Sequence, residues 1–202
     1  MSNKPLKVGI TGGIGSGKST VVKIFNILGI PSYESDKQAK KLMQESEALK
    51  KAIQEKFGVD AYDPSGKLNN QYLAQKVFGD PEAVAQLNQL VHPAVRADFS
   101  EWAKHQNSPY VLNEAALLFE TGSYQSFDQM ILVTAPESVR ITRVMFRDTH
   151  RTLAQIKQII AQQIDPKEAA KLAQLIIKND DQSLIIPQVL KAHQKLLQLS
   201  QA

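Results

Sequence analysis

Near the start of the chain, Gly12-Gly13-Ile14-Gly15-Ser16-Gly17-Lys18-Ser19-Thr20 has the residue types and spacing to hold a polyphosphate. Gly12, Gly17, Lys18 and Ser19 fit the pattern G-x-x-x-x-G-K-[ST] without a gap. Average residue usage would give such a match by chance in on the order of one chain in a hundred. Glycines let successive backbone N–H groups turn toward one anion, and the N-terminus of a following helix adds positive potential. The backbone from Gly13 to Thr20 would cradle a triphosphate. Lys18 would reach the β- and γ-phosphates, and the Ser19 hydroxyl would ligate Mg²⁺.

Such a loop works only between a strand and a helix. Leu6-Lys7-Val8-Gly9-Ile10-Thr11 reads as a short apolar strand before it. After it, Val21, Ile24, Phe25 and Leu28 recur at helical spacing on one face, and Gly29 suits the end of that helix. Ile30 to Asp36 then reads as a short extended piece ending in the carboxylates Glu34 and Asp36. Ser35 or Asp36 suits the cap of a lysine-rich helix from Lys37 to Gln44. The segment after the first helix of such a fold returns beside the loop, however. A carboxylate at its end can accept a proton from an attacking hydroxyl or hold a Mg²⁺-bound water.

Residues 47–107 look almost wholly helical, with helices expected at Ala48 to Phe57, Leu68 to Phe78, Pro81 to Val91 and Ala94 to about His105. Asp63-Pro64-Ser65-Gly66 is a turn by composition, and His92-Pro93 is expected to break the helical pattern. Tyr110-Val111-Leu112 reads as a buried strand stopping at Asn113-Glu114, where Glu114 would lie at the ligand edge of a parallel sheet. Ala115 to Glu120 is apolar up to its final carboxylate, and Met130 to Val133 reads as another buried strand. The following helix carries Arg140, Arg143 and Arg147 on one face, with Arg151 beyond it. That stripe is either a solvated face or a set of cations closing over phosphates. Thr152 suits a helix cap, Asp165-Pro166 a helix start, and Leu175-Ile176-Ile177 a last strand ending at Lys178-Asn179. An amphipathic helix bearing Leu184, Val189, Leu190, Leu196 and Leu197 closes the chain.

With 202 residues, 43 % of them hydrophobic and 22 % charged, the chain has the make-up of one globular domain. The net charge of +4 favours anionic ligands, and nucleotides satisfy it without nucleic acid. No cysteine is present, which excludes disulfides, cysteine nucleophiles and thiolate metal sites. Met1 to Pro5 has no apolar leader character and no stretch approaches transmembrane length. A cytoplasmic protein is expected, a monomer or weak homo-oligomer without nucleic-acid or membrane partners.

Together these residues resemble the dephospho-CoA kinase family over nearly the full length. Gly9 to Thr20 looks like the family's opening, and Glu34-Ser35-Asp36 stands where Asp-Ala-Asp is usual. Phe57-Gly58, Gly66-Lys67-Leu68, Val77-Phe78 and His92-Pro93 resemble its helical CoA-binding region. Leu117-Leu118-Phe119-Glu120 resembles its Pro-Leu-Leu-Phe-Glu run, Arg143, Arg147 and Asp148 its lid, and Gln163 and Asn179 fall at its spacing. The chain departs from the family at Glu34, Asn69-Asn70, Ala116, Gln174 and Lys178.

The resemblance implies a three-layer α/β P-loop fold with a parallel sheet. Its core would be about residues 1–36 and 108–202, with a helical acceptor-binding insert at about 37–107 and a lid at about 140–165. It further implies ATP and Mg²⁺ as cofactors, and phosphorylation of the ribose 3′-hydroxyl of dephospho-CoA. Asp36 would be the catalytic base, with Lys18, Arg143 and Arg147 neutralising the moving phosphoryl group. Arg140 and Asn179 would join the loop in holding ATP. His92, Leu118, Phe119 and Glu120 would meet the acceptor beside Asp36. A kinase for another small acceptor, a nucleoside monophosphate or shikimate, is the alternative. A GTP-dependent switch is disfavoured because no Asn-Lys-x-Asp segment occurs.

Overall fold

The computed structural model describes residues 4–201. Met1, Ser2 and Asn3, read above for leader character, lie outside them, as does Ala202. The chain forms two compact units, one up to Glu34 and again from Ala103 onward, the other Ser35–Trp102.

In the first unit, strand β1 (Leu6–Thr11) lies at the centre of a five-stranded sheet of order β2-β3-β1-β4-β5. The others are β2 (Ser32–Glu34), β3 (Tyr110–Glu114), β4 (Gln129–Thr134) and β5 (Leu175–Lys178), and every pairing is parallel. Strands buried on both faces read as unbroken apolar runs, and β4 shows why. Its Ile131 and Val133 pack with Val21 and Phe25 of α1 (Lys18–Ile27) and with Val189 and Leu196 of α9 (Ile185–Ser200). Its Met130 and Leu132 face the other way, onto Leu118, Phe119 and Ala169 of α8 (Pro166–Leu172). The sheet is thus the middle of three layers.

Register brings the carboxyl ends of the inner strands level. Glu114 pairs with Ile10 on one side and with Glu34 on the other. β3 therefore runs through Asn113 and Glu114 rather than stopping before them. Both residues find backbone partners on two neighbouring strands, and Asn113 is buried. The remaining helices of this unit are α6 (Glu137–Arg147) and α7 (Leu153–Ala161), the latter started by a reciprocal cap between Thr152 and Gln155.

The second unit contains α2 (Ser35–Glu45), α3 (Glu47–Phe57), α4 (Asn70–Val77) and most of α5 (Pro81–Lys104). Three expected boundaries shift. Helix α2 starts at Ser35, so Asp36 lies in its first turn, where a carboxylate is favoured by the helix dipole. Helix α4 starts at Asn70 rather than Leu68, because the Leu68 N–H is taken by Gln44 Oε1 and Asn69 accepts from the Tyr72 N–H.

The third shift is larger. His92-Pro93 does not break the chain into two helices; α5 runs through it. A proline inside a helix costs about 3 kcal/mol through the lost N–H bond and a clash with the preceding turn. Val91, Val95 and Phe99 form one buried stripe across the proline, and each such side chain contributes about 1.5–3 kcal/mol on burial. Packing on both sides outweighs the local penalty.

In the core of the first unit, the buried Tyr110 ring meets Phe25 edge to face, 6.4 Å between centroids. Its hydroxyl lies 2.6 Å from His193 Nδ1. Burial raises the Tyr110 pKa and lowers that of His193, so the tyrosine donates and a neutral imidazole accepts. The His193 pKa falls below its ordinary 6.5, so the folded state binds fewer protons than the unfolded one near that value. The stabilisation is complete above pH 6.5 and is lost as pH falls through the depressed folded value. Urea unfolding at pH 7.5 and 5.5 should show a loss at the lower pH, and that loss should shrink in His193→Leu.

Candidate active site

The loop between β1 and α1 is shaped by what its glycines leave room for. Gly17 has a left-handed backbone (φ 87°), and a Cβ there would collide with Asn179 Nδ2. That amide nitrogen instead reaches past Gly17 and donates to Ser16 O at 2.8 Å. Gly15 (φ 76°) would place a Cβ 2.5 Å from the carbonyl oxygen of Arg140. Helix α6 and the end of β5 are therefore packed directly onto loop backbone.

Arg140 is 7 % exposed, so this member of the arginine stripe is not solvated. Its Nε donates to Ile14 O at 2.9 Å and its NH2 to Gln163 Oε1 at 2.8 Å. The same Gln163 oxygen accepts from the Ile14 N–H at 3.0 Å. Burial lowers the Arg140 pKa, with Glu137 acting against it, but an arginine side chain remains a cation. Lys18 Nζ donates to Gly12 O at 2.6 Å, so the ammonium is held back over its own loop. Helix α1 begins at Lys18 with no side-chain cap from Gly17, which leaves its N-terminal potential directed at the loop.

On the carboxylate side, Ser19 Oγ donates to Glu114 Oε1 at 2.8 Å, and Glu34 is in register with Glu114 on the next strand. A serine whose proton is taken by a carboxylate keeps its lone pairs for a cation, and hydroxyl and carboxylate oxygens are the hard ligands Mg²⁺ prefers. These residues fit a magnesium ion. Asp36 is exposed, two positions beyond the last residue of β2, in the second unit. His92 of α5 is half-buried in that same unit. Burial and Arg96 lower its pKa, and Asp36 raises it, so the two groups are in electrostatic reach.

Arg143 NH2 donates to Asn179 Oδ1 at 3.1 Å and to Asp181 Oδ1, while its NH1 faces the carbonyls of Gly15 and Ser16. Arg147 makes a two-pronged pair with Asp148 at 2.8 and 2.9 Å. That pair pushes the Asp148 pKa down to about 2, so both groups stay charged at neutral pH. Leu118 and Phe119 are buried under β4, and Glu120 Oε1 accepts from the Ile164 N–H at 3.1 Å.

The dephospho-CoA kinase family model matches residues 6–184. A dephospho-CoA kinase from Bacteroides fragilis is 34% identical over 187 residues, covering 92% of this chain and 90% of the relative. One from Porphyromonas gingivalis is 36% identical over 186 residues, 92% of each chain. The chain belongs to the dephospho-CoA kinase family. The solved dephospho-CoA kinase from Campylobacter jejuni, 29% identical, superposes with a TM-score of 0.69 and covers 95% of this chain and 97% of that one. The alternative acceptors weighed from sequence, a nucleoside monophosphate or shikimate, are not favoured by this family assignment.

In this dephospho-CoA kinase family member the structure gathers the loop, Arg140, Arg143 and Asn179 in one network, and joins Ser19 to Glu114. The described bonds of Arg147 and Glu120 run to Asp148 and Ile164 instead. Sequence reasoning missed Asp181 altogether, since nothing in its local pattern marks it. It noted Gln163 only by spacing; its place at the loop rests on contacts 149 residues apart.

Gly15→Ala should therefore lose about 1–3 kcal/mol of stability, through strained backbone and collision with Arg140, and bind ADP more weakly. Gly29→Ala is the control, since its φ is also positive (84°) but nothing lies within 4 Å of the added Cβ. It should lose about 1 kcal/mol and bind ADP normally. Melting curves and ADP titration measure both.

Proposed function

We propose that the chain is a Mg²⁺-dependent enzyme that moves the γ-phosphoryl group of ATP to the ribose 3′-hydroxyl of dephospho-CoA, giving coenzyme A and ADP. The observation that carries this reading is the loop itself, with Lys18 folded across it and Ser19 tied to Glu114 at the carboxyl edge of a parallel sheet. The N–H groups from Gly13 to Thr20 bind the triphosphate, and Lys18 neutralises its β- and γ-oxygens. Arg140 and Asn179 hold the loop in shape and belong to the nucleotide side.

A magnesium ion would be held by Ser19 with the Glu114 carboxylate behind it, and when bound it offsets the negative charge of the phosphates. Asp36 accepts the proton of the 3′-hydroxyl as its oxygen bonds to the γ-phosphorus and the bond to ADP breaks. Arg143 and Arg147 balance charge on the moving group. Residues 37–107 serve the acceptor, with His92, Leu118, Phe119 and Glu120 on its side, and residues 140–165 serve as the lid. Little covalent chemistry falls to the protein, so positioning carries the rate.

Small molecules are the partners in this reading. The chain works in the cytoplasm as a monomer or weak homo-oligomer, without nucleic acid. Among the described residues no helix is long and apolar enough to cross a membrane.

An acceptor panel with Mg-ATP should show phosphorylation of dephospho-CoA and not of AMP, CMP or shikimate; the reverse pattern overturns the assignment. Asp36→Asn should lower kcat by about 10²- to 10⁴-fold and leave ATP affinity within about twofold. A normal kcat in that variant removes Asp36 from the proton transfer.

A further inference from the structure

We propose that Asp181 is a positioning residue for the phosphate-binding loop, acting through Arg143. Among the described residues Asp181 alone combines a side chain with positive φ, at 63°. Asp tolerates this region better than most residues, but it remains an uncommon place for any side chain. The neighbouring Asp180 fixes the turn. Its Oδ1 accepts from the N–H groups of Gln182 (3.1 Å) and Ser183 (2.7 Å), and its Oδ2 from Ser183 Oγ (3.1 Å). The Asp181 carboxylate is thereby turned outward to a different task, the ion pair with Arg143 NH2.

That arginine sits against the carbonyl side of the loop. Its NH1 faces Gly15 O at 3.4 Å and Ser16 O at 3.5 Å, contacts too long to hold a mobile side chain unaided. Its NH2 is fixed by Asn179 at 3.1 Å and by Asp181. Asn179 in turn donates to Ser16 O, so that one carbonyl is gripped from two directions. The C=O and N–H of a peptide point opposite ways. Holding Ser16 O toward Arg143 and Asn179 turns the Gly17 N–H to the other side of the loop, the side where an anion would sit. Asp181 completes this brace by anchoring and neutralising a guanidinium that Asn179 would otherwise hold by one hydrogen bond.

The proposal rests on the triphosphate reading of residues 12–20, and the test separates the two. Asp181→Gly removes the carboxylate and accepts the positive φ without strain, and Asp181→Asn keeps the shape and loses the charge. Side chains 27% and 64% exposed make a partly screened pair, so a moderate effect is expected. Both variants should melt no lower than wild type, yet bind ADP about three- to fivefold more weakly in calorimetric titration. The KM for ATP should rise by the same factor, with the KM for dephospho-CoA unchanged. In an Arg143→Ala background, adding Asp181→Gly should weaken ADP binding no further.

Unchanged or tighter ADP binding in Asp181→Gly overturns the proposal, as does an additive loss in the double variant. A wild-type protein that binds no ADP overturns the loop reading itself.

Discussion

Everything at this site depends on one packing constraint: a stretch of backbone must lie bare against its neighbours. A phosphate-binding loop needs its N–H groups converging on one side, which requires backbone angles few side chains tolerate. Here the same glycines serve a second purpose. The space that a Cβ would fill at Gly13, Gly15 and Gly17 is taken by Arg140 and Asn179, which grip the loop from behind. The loop is held by hydrogen bonds to its outward carbonyls and by the close fit of α6 and β5, two elements that enter the chain more than a hundred residues later.

The parallel sheet supplies the other half of the arrangement. Because β1, β2 and β3 run the same way and in register, their carboxyl ends place the loop, Glu34 and Glu114 along one edge. A serine and two carboxylates thus become neighbours without any of them being close in sequence. In sequence the second unit begins directly after β2, with Asp36 two residues beyond that strand.

Much of this was legible in the sequence, and the rest was not for definite physical reasons. The strand, loop and first helix announce themselves because their requirements are local: apolar runs, glycines, a helical repeat. The caps at Thr152 and Asp165 are local in the same sense, a side chain bonding backbone within three residues. Pro93 misled because a local penalty was outweighed by burial that adjacent residues do not reveal. The arginine stripe of α6 looks uniform in sequence, yet Arg140 is buried on loop backbone while Arg147 is paired at the surface with its neighbour Asp148. Asp181 carries no signal at all, since its significance comes from a turn set by Asp180 and an arginine on another helix.

The double role of Gln163 has a consequence for how the chain can vary. Its one carboxamide oxygen receives both the Ile14 N–H and Arg140, so residues 140 and 163 stand on the same spot like the two feet of a hoop. Between the feet, Arg143 also reaches the loop, at the Gly15 and Ser16 carbonyls one turn beyond residue 140. Closing a longer hoop is inexpensive, about 0.6 kcal/mol for each doubling of a flexible segment. Insertions and deletions between α6 and α7 can therefore accumulate without disturbing the phosphate-binding backbone, while a single substitution at either foot reaches it directly.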